Sequence, residues 1–180
     1  MNHQVPENPD EKNRSSFLSV RFVTQAAIIA GAYAALTVAL APISYGPLQV
    51  RVSEALTVLP FFTPAAIPGL FVGCLLANII SPYGMPDLIL GSIATLLAAL
   101  CSRRLRARKW LVPLPPVVSN GFIVGGMLCF IYDVQPVPGS VALSFLVDAG
   151  WIAVGEGAAC YVLGLLLMRF LGPHDRIFRL

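Results

Sequence analysis

The sequence predicts an all-α integral membrane bundle of six transmembrane helices, with the N- and C-termini in the cytoplasm. Apolar residues make up 57% of the 180 residues and charged residues only 12%, whereas a soluble domain carries about 25% charged residues. The mean hydropathy is +0.77. This composition argues against a soluble enzyme, and a net charge of +3 is too small to favour a nucleic-acid binder.

Six apolar segments account for the predicted spans. The first is long enough to cross about 30 Å of hydrocarbon and too long for the apolar core of a signal peptide. The second is short and reaches only part of the way across as a straight α-helix, while the last is long enough to cross with tilt. The predicted spans cover residues 22–42, 50–62, 64–80, 86–102, 117–132 and 141–169.

Each boundary between the spans has a local cause. The loops at residues 43–49, 81–84 and 133–140 contain both proline and glycine, which favour turns. Residues 111–116 contain three prolines, which interrupt a helix because proline has no N–H to donate. Pro64 opens the third predicted span, since proline suits the first turn of a helix.

The basic residues predict the orientation. We expect a disordered cytoplasmic tail at residues 1–21, a six-helix membrane domain that binds substrate at residues 22–170, and a cytoplasmic tail at residues 171–180. Lysine and arginine accumulate on cytoplasmic flanks, and 11 of the 12 basic residues lie in the N-terminal tail, in residues 103–109 and in residues 169–180. Six spans place these three segments on one side. We therefore predict a multi-pass protein of the cytoplasmic membrane.

Six charged residues lie outside these segments. A charge in a membrane helix is costly unless it faces the bundle interior and finds a partner. Glu156 lies near the middle of the last span, between two glycines. Arg51 and Glu54 are three residues apart, which on a helix gives one face, so they form either a self-neutralising pair or the lining of an outward-facing cavity. The six are Arg51, Glu54, Asp87, Asp133, Asp148 and Glu156.

Other polar and aromatic residues are weaker candidates for a site. Asp148 is about 80° around the helix from Glu156, so both could border one cavity. Trp151 lies between them and could stack on a ring or anchor the helix at the interface. Three more candidates lie within or near span ends, where capping or helix bridging competes with ligand contact: Asp87, Asn78 and Asn120.

Small residues recur at every fourth position of the first span. This spacing allows close approach of another helix, either inside the bundle or on a partner subunit. One row is Ala26, Ala30 and Ala34, and the neighbouring row is Ala27, Gly31 and Ala35.

The sequence contains no P-loop, HExxH motif, nucleophile elbow or dinucleotide fingerprint. The four cysteines have no paired spacing and are interpreted as free, small apolar side chains. We therefore expect a protein without catalysis, cofactor or metal. Two alternatives stay open: an intramembrane enzyme that uses Glu54 and Glu156 as an acid/base pair, and a structural protein whose charges only bridge helices.

Two blocks of the sequence resemble the QueT queuosine-precursor transporter family. The first is PISYGPLQVRVSEAL at residues 42–56, followed by LPFFTPA at residues 59–65, and the second is Gly155-Glu156 followed by CYVLG at residues 160–164. The resemblance implies the substrate-binding S component of an energy-coupling-factor (ECF) importer. Such components are six-helix membrane proteins that capture a vitamin or base from outside and dock on a transmembrane scaffold subunit driven by two ATPases.

The resemblance also implies a ligand. Queuosine precursors are deazaguanines, and a guanine-like edge offers adjacent ring N–H and amino donors, which an ionised carboxylate accepts in parallel. Glu156 and Glu54 are the candidates for that carboxylate. Asp148 or Asp87 would suit the cationic aminomethyl arm of some precursors, and Arg51 would contact the base carbonyl or orient Glu54.

The same resemblance implies further contacts and partners. Aromatic side chains would stack on the base: Tyr45, Trp151 and Tyr83. The docking contact on the scaffold subunit would involve Ala26, Ala30 and Ala34. The expected partners are a small-molecule substrate, the scaffold subunit, two ATPase subunits and the lipid bilayer, with no nucleic acid. An S component for another vitamin or nucleobase is the alternative.

Overall fold

The computed structural model describes residues 9–45 and 50–178, and these ranges contain helices and no strand. The all-α prediction is therefore confirmed. The α-helices, named α1 to α8 in chain order, are Pro9–Ala39, Ala41–Ser44, Ala66–Asn78, Gly84–Pro86, Ser92–Arg104, Leu114–Phe130, Val141–Gly157 and Leu165–Leu171. The 3₁₀ segments are Val52–Phe61, Leu105–Ala107, Lys109–Leu111 and Gly172–Phe178, and the π segments are Asp87–Gly91 and Ala158–Gly164.

Four helices in the described part of the chain are long and apolar enough to cross a membrane: Val20–Ala39, Gly84–Ala107, Lys109–Phe130 and Val141–His174. Two shorter apolar helices lie between the first and second of these: Val52–Phe61 and Ala66–Asn78. Each of the six overlaps one predicted span. The number of membrane crossings and the side on which the termini lie stay predictions.

The first helix begins earlier than its composition suggests. Helix α1 starts at Pro9, inside the segment 1–21 that we expect to be a disordered tail, so the described backbone is helical over residues 9–21. Extending a helix that an apolar segment has already nucleated costs little, and Glu11 and Lys12 are good helix formers. The rest of the predicted tail, residues 1–8, lies outside the described residues.

Helices α1 and α3 approach closely because α3 has glycine at the contact points. A Cβ atom on Gly73 would lie 2.8 Å from both the Ala30 carbonyl oxygen and the Tyr33 Cβ, and one on Gly69 would lie 2.7 Å from the Ala26 carbonyl oxygen. Ala30 is buried in this contact, so the structure gives Ala26 and Ala30 an internal packing role. The neighbouring row is exposed: Ala27, Gly31 and Ala35.

The second apolar segment is a 3₁₀ helix of ten residues, Val52–Phe61. Runs of this helix longer than 3–4 residues are uncommon, and its rise of about 2.0 Å per residue gives a reach of about 20 Å, against about 15 Å for an α-helix of equal length. Arg103 Nη1 donates to the last carbonyl groups of the segment, those of Pro60 at 2.9 Å and Phe61 at 3.3 Å. The short segment therefore reaches further than its length predicts and has a satisfied C-terminal end.

Two long helices each contain a π segment. One, Asp87–Gly91, joins α4 to α5, and the other, Ala158–Gly164, joins α7 to α8. Such irregularities are frequent at functional sites. The first begins at Asp87, and the second contains Cys160, one turn beyond Glu156. Both irregularities therefore lie beside charged residues that the sequence singles out.

Two of the three basic segments meet at one end of the bundle. Lys109, which follows α5, and Arg169, in the last turn of α8, line one cavity together with Phe62. The adjacent Thr63 donates through Oγ1 to Gln25 Oε1 of α1 at 2.9 Å. The middle of α1, the basic loop and α8 thus meet around the end of the 3₁₀ segment.

Candidate functional site

Four charged side chains meet inside the bundle. Arg51, Glu54, Asp87 and Glu156 are each at most 1% exposed. They come from the start of the 3₁₀ segment, the first π segment and the end of α7. We call these four residues the buried charge cluster. Charges this deep in an apolar protein need partners, and the cluster divides into an ion pair and an acid pair.

The ion pair joins Arg51 to Asp87. Arg51 Nη2 lies 3.1 Å from Asp87 Oδ2 and 3.4 Å from Oδ1. Ser81 Oγ donates to Asp87 Oδ2 at 2.6 Å, and Asn78 Nδ2 donates to the Asp87 carbonyl oxygen at 3.0 Å. Gly91 leaves room for this contact, since a Cβ there would lie 2.6 Å from Asp87 Oδ1. Asp87 is thus a buried structural partner rather than the capping residue that its sequence position favours.

The partner of Arg51 differs from the one that the sequence suggests. A three-residue spacing would place Arg51 and Glu54 on one helical face, but Arg51 precedes the 3₁₀ segment in an extended conformation, with φ −87° and ψ 100°. Its side chain pairs with Asp87 instead. Within the segment, Thr57 Oγ1 donates to the backbone carbonyl oxygen of Glu54, three residues earlier, at 2.5 Å.

The acid pair consists of Glu54 and Glu156, beside Cys160. One oxygen of each carboxylate and the Cys160 sulfur all lie within 4.8 Å of one another. The Tyr33 hydroxyl donates to Glu54 Oε1, and Thr95 Oγ1 lies 3.5 Å from the same oxygen. Two buried carboxylates this close repel each other when both are ionised. The pair therefore favours a donor-rich or cationic group between or beside its oxygens.

Several buried polar atoms next to the acid pair have no hydrogen-bond partner among the described residues. Asn120 is 1% exposed and its amide lies beside both Glu54 and Glu156, but neither contact has the geometry of a hydrogen bond. An unpaired buried polar group costs about 1–3 kcal/mol. The unpaired atoms in the cluster and next to it are Glu54 Oε2, Asn120 Nδ2 and Oδ1, Arg51 Nε and Asn78 Oδ1.

The same atoms define what this region could bind. Carboxylate oxygens and a thiolate are ligands that zinc accepts, so Glu54, Glu156 and Cys160 could hold a cation. An organic ligand with several N–H groups would satisfy the carboxylate and amide oxygens equally well. The prediction that the protein has neither metal nor cofactor stays a prediction.

Comparison with known proteins decides the family. A model described as the QueT transporter matches residues 23–173, which is most of the chain. The chain belongs to the QueT transporter family. The queuosine precursor transporter QueT of Lactococcus lactis subsp. cremoris (strain MG1363) is 42% identical over 72 residues, which cover 39% of this chain and 42% of that protein. No solved structure matches the chain. The family resemblance read from the sequence is confirmed.

Membership of the QueT transporter family and the four long apolar helices together indicate a multi-pass membrane protein. Seven of the nine substrate-site residues predicted for this family member lie in or beside the buried charge cluster. Tyr45 is one of them, since its ring centre is 5.5 Å from Arg51 Cζ and its hydroxyl donates to the Ala77 carbonyl oxygen at 2.6 Å. The seven are Arg51, Glu54, Asp87, Glu156, Asn78, Asn120 and Tyr45.

Two of the nine predicted substrate-site residues, Trp151 and Asp148, lie outside the buried charge cluster. The predicted stacking residue Tyr83 also lies outside it. Trp151 is 54% exposed, because five residues of α-helix turn it about 140° away from Glu156, so it does not stack within the cluster. Asp148 is buried about two turns along α7, with its Oδ2 unpaired within the described structure, and its site role stays a prediction. Tyr83 packs edge-on against Tyr132, at 5.5 Å between ring centres.

Several residues that contact the buried charge cluster were not predicted from the sequence. Tyr33 is fully buried and donates to Glu54, although its position among small residues suggests only helix packing. A tyrosine in the middle of an apolar span is a usable signal, because a buried hydroxyl needs a partner. Ser81 and Thr95 also carry cluster contacts, but hydroxyls are common in membrane helices and bond backbone carbonyls by default.

Proposed function

We propose that this chain is the substrate-binding S component of an ECF-type importer. It captures a queuosine precursor, a deazaguanine base, from outside the cell, and partner subunits supply the ATP hydrolysis. The observation that carries the proposal is the acid pair, Glu54 and Glu156, next to Asn120. These are buried acceptors and an amide with unused hydrogen-bonding capacity, inside a member of a transporter family.

The chemistry of the base fits these groups. A guanine-like edge carries a ring N–H and an amino group side by side, and a carboxylate accepts two parallel hydrogen bonds from them. Glu54 Oε2 and the Glu156 carboxylate offer such acceptors. Asn120 offers both a donor and an acceptor, which suits a base carbonyl beside a ring N–H. Arg51 contributes less, because Asp87 already engages its Nη2 atom.

The charge balance favours a cationic precursor over a neutral one. The buried charge cluster has three acids, Glu54, Asp87 and Glu156, against one cation, Arg51. Because Arg51 and Asp87 pair, the excess of acid lies at Glu54 and Glu156. With both carboxylates ionised, a ligand whose aminomethyl arm carries a positive charge offsets this excess, whereas with a neutral ligand one carboxyl group would have to take up a proton. We therefore expect tighter binding of aminomethyl deazaguanine than of its uncharged analogues.

We also propose that the chain crosses the cytoplasmic membrane six times, with both termini inside. Eleven of the twelve basic residues lie in three sequence segments, and basic residues mark cytoplasmic flanks. The meeting of α1, the basic loop and α8 around the end of the 3₁₀ segment supports an even number of spans between these segments. The 3₁₀ conformation extends the short second segment to about 20 Å, which brings it closer to the hydrocarbon thickness of about 30 Å than a ten-residue α-helix would come.

Docking on the scaffold subunit belongs to the same proposal. The family contact is expected at Ala26, Ala30 and Ala34, but α3 covers Ala30. The exposed row of Ala27, Gly31 and Ala35 offers the same small-residue spacing on an open face of α1. A Gly31→Leu variant should keep substrate binding and lose ATP-driven uptake. Loss of binding in that variant would contradict docking through this row.

Calorimetry on the purified full chain tests the substrate assignment. We expect aminomethyl deazaguanine to bind, and Glu156→Gln to weaken binding by about 1–3 kcal/mol, because the amide leaves donors of the base unpaired. Asp133→Asn is the matched control, an acid-to-amide change at an exposed loop residue. No binding of any queuosine precursor would refute the assignment, and binding of another vitamin or nucleobase would redirect it. Recovery of a chemically altered ligand would favour the enzyme alternative.

A further inference from the structure

A cavity lies at the basic end of the bundle and shares no lining residue with the buried charge cluster. Its volume is about 490 Å³, within the range of about 300–1,000 Å³ that is usual for small-molecule sites. Its walls come from the end of the 3₁₀ segment, the loop after α5, and α8 with the π segment before it. We call it the basic pocket; its walls include Phe61, Lys109, Trp110, Leu165, Leu166 and Arg169.

The lining of the basic pocket combines positive charge with apolar surface. Lys109 and Arg169 are its charged residues, and no acidic side chain is among the described residues that line it. Lys109 Nζ lies 5.8 Å from the centre of the Phe61 ring, a weak cation–π contact that leaves the ammonium group available to an anion. The remaining walls are largely aliphatic and aromatic. This lining fits an amphiphilic anion better than a fully hydrated one.

The basic pocket lies where a membrane surface would be. Lys109 is the first residue of one membrane-competent helix, and Arg169 lies near the end of another. Trp110 is 73% exposed, and tryptophan concentrates at membrane–water interfaces. On α8 and the π segment before it, Leu166 and Val162 are also exposed and continue the apolar wall of the pocket toward the lipid side.

We propose that the basic pocket binds one anionic phospholipid of the surrounding leaflet. Lys109 and Arg169 hold the headgroup phosphate, and an acyl chain lies along the exposed face of α8. Basic pockets between membrane helices bind anionic headgroups in this way, and a guanidinium group can give a phosphate two parallel hydrogen bonds. The proposal commits to a lipid rather than to free phosphate, because most of the lining is apolar.

Native mass spectrometry of the delipidated full chain tests this proposal. The protein in neutral detergent is offered phosphatidylglycerol or phosphatidylcholine with identical acyl chains. We expect selective retention of phosphatidylglycerol, and about 30-fold weaker retention in Lys109→Gln/Arg169→Gln, at about 1 kcal/mol for each lost cation. The matched control, Arg106→Gln/Arg108→Gln, removes two charges from the same loop outside the pocket and should retain the lipid.

Three results would overturn the proposal. Equal retention of the two lipids would remove the role of the headgroup charge, and an equal loss in the control variant would mean that general surface charge attracts the lipid. Displacement by millimolar inorganic phosphate would identify a phosphate site rather than a lipid site. A second variant, Leu166→Trp, narrows only the apolar wall, so it should weaken retention of long-chain lipid even if the double variant folds poorly.

Discussion

Neutralising Asp87 should destabilise the protein far more than its place near a helix end suggests. Asp87 is fully buried and accepts hydrogen bonds from Arg51 and from Ser81. In Asp87→Asn, Arg51 keeps its charge at 1% exposure and faces a neutral amide. The Tyr45 ring, 5.5 Å from the guanidinium carbon, offers a cation–π contact of about 0.5–2 kcal/mol, which does not replace the lost ion pair.

The expected magnitude follows from the number of partners. Removing one member of a buried ion pair costs about 3–5 kcal/mol, so Asp87→Asn should lower the free energy of unfolding by that amount. Ser81→Ala removes one charge-assisted hydrogen bond and should cost about 1.5–3 kcal/mol. The double variant Arg51→Met/Asp87→Leu removes both members of this ion pair, so neither is left without its partner. It should recover most of the loss, since apolar replacement of a buried pair is often neutral or stabilising.

Reversible unfolding by SDS in mixed micelles, followed by far-UV circular dichroism, measures these differences. Asp133→Asn is the control, because Asp133 is exposed with φ +51°, a conformation that asparagine tolerates. It should change the free energy of unfolding by no more than about 0.5 kcal/mol. A change below about 1 kcal/mol in Asp87→Asn, or a double variant no more stable than the single one, would refute the reasoning.

Three further predictions concern Tyr33 beside the acid pair, the packing of α3 on α1, and Trp151 outside the buried charge cluster. Tyr33→Phe removes a donor to Glu54 and should change calorimetric affinity for the precursor several-fold while helix content stays constant; unchanged affinity would contradict a role for Tyr33 in the site. Gly73→Ala should lower the free energy of unfolding by about 1–3 kcal/mol, since its Cβ would overlap α1, whereas Gly31→Ala, with open space around it, should not. Trp151→Leu should leave affinity unchanged, and a large loss would place Trp151 in the site.

The sequence predicts the apolar helices and the members of the buried charge cluster because burying charge is costly. An apolar chain with six charges outside its tails and basic loop has few reasons to keep them, so Glu54, Glu156 and Arg51 stand out from composition and position alone. The helical segments follow from apolar length and from proline positions. Both signals depend only on composition and on short stretches of sequence. The structure shows their consequences as helices and as a buried group of charges.

The pairings could not be predicted in the same way. The expected Arg51–Glu54 contact assumes an α-helix from residue 51 onward, whereas Arg51 is extended and the helix after it is 3₁₀. The π segment at Asp87 changes the facing of the residues that follow it. Tyr33 contacts Glu54 of the buried charge cluster, and its helix α1 approaches α3 closely at Gly73. A contact between segments that are distant in the sequence leaves no local pattern. Conformation and close approach, rather than composition, set these contacts.

The structure also bears on whether the charges serve only to hold helices together. A structural polar network in a membrane bundle is expected to balance its charge and satisfy its polar atoms, because a partly satisfied network is costlier than an apolar core. Arg51 and Asp87 largely meet this standard. Glu54, Glu156 and Asn120 do not: two acids lie together, and the described residues leave Glu54 Oε2 and both Asn120 atoms unpaired. Such an arrangement costs stability, and this is the observation on which the proposed substrate site, rather than helix bridging alone, depends.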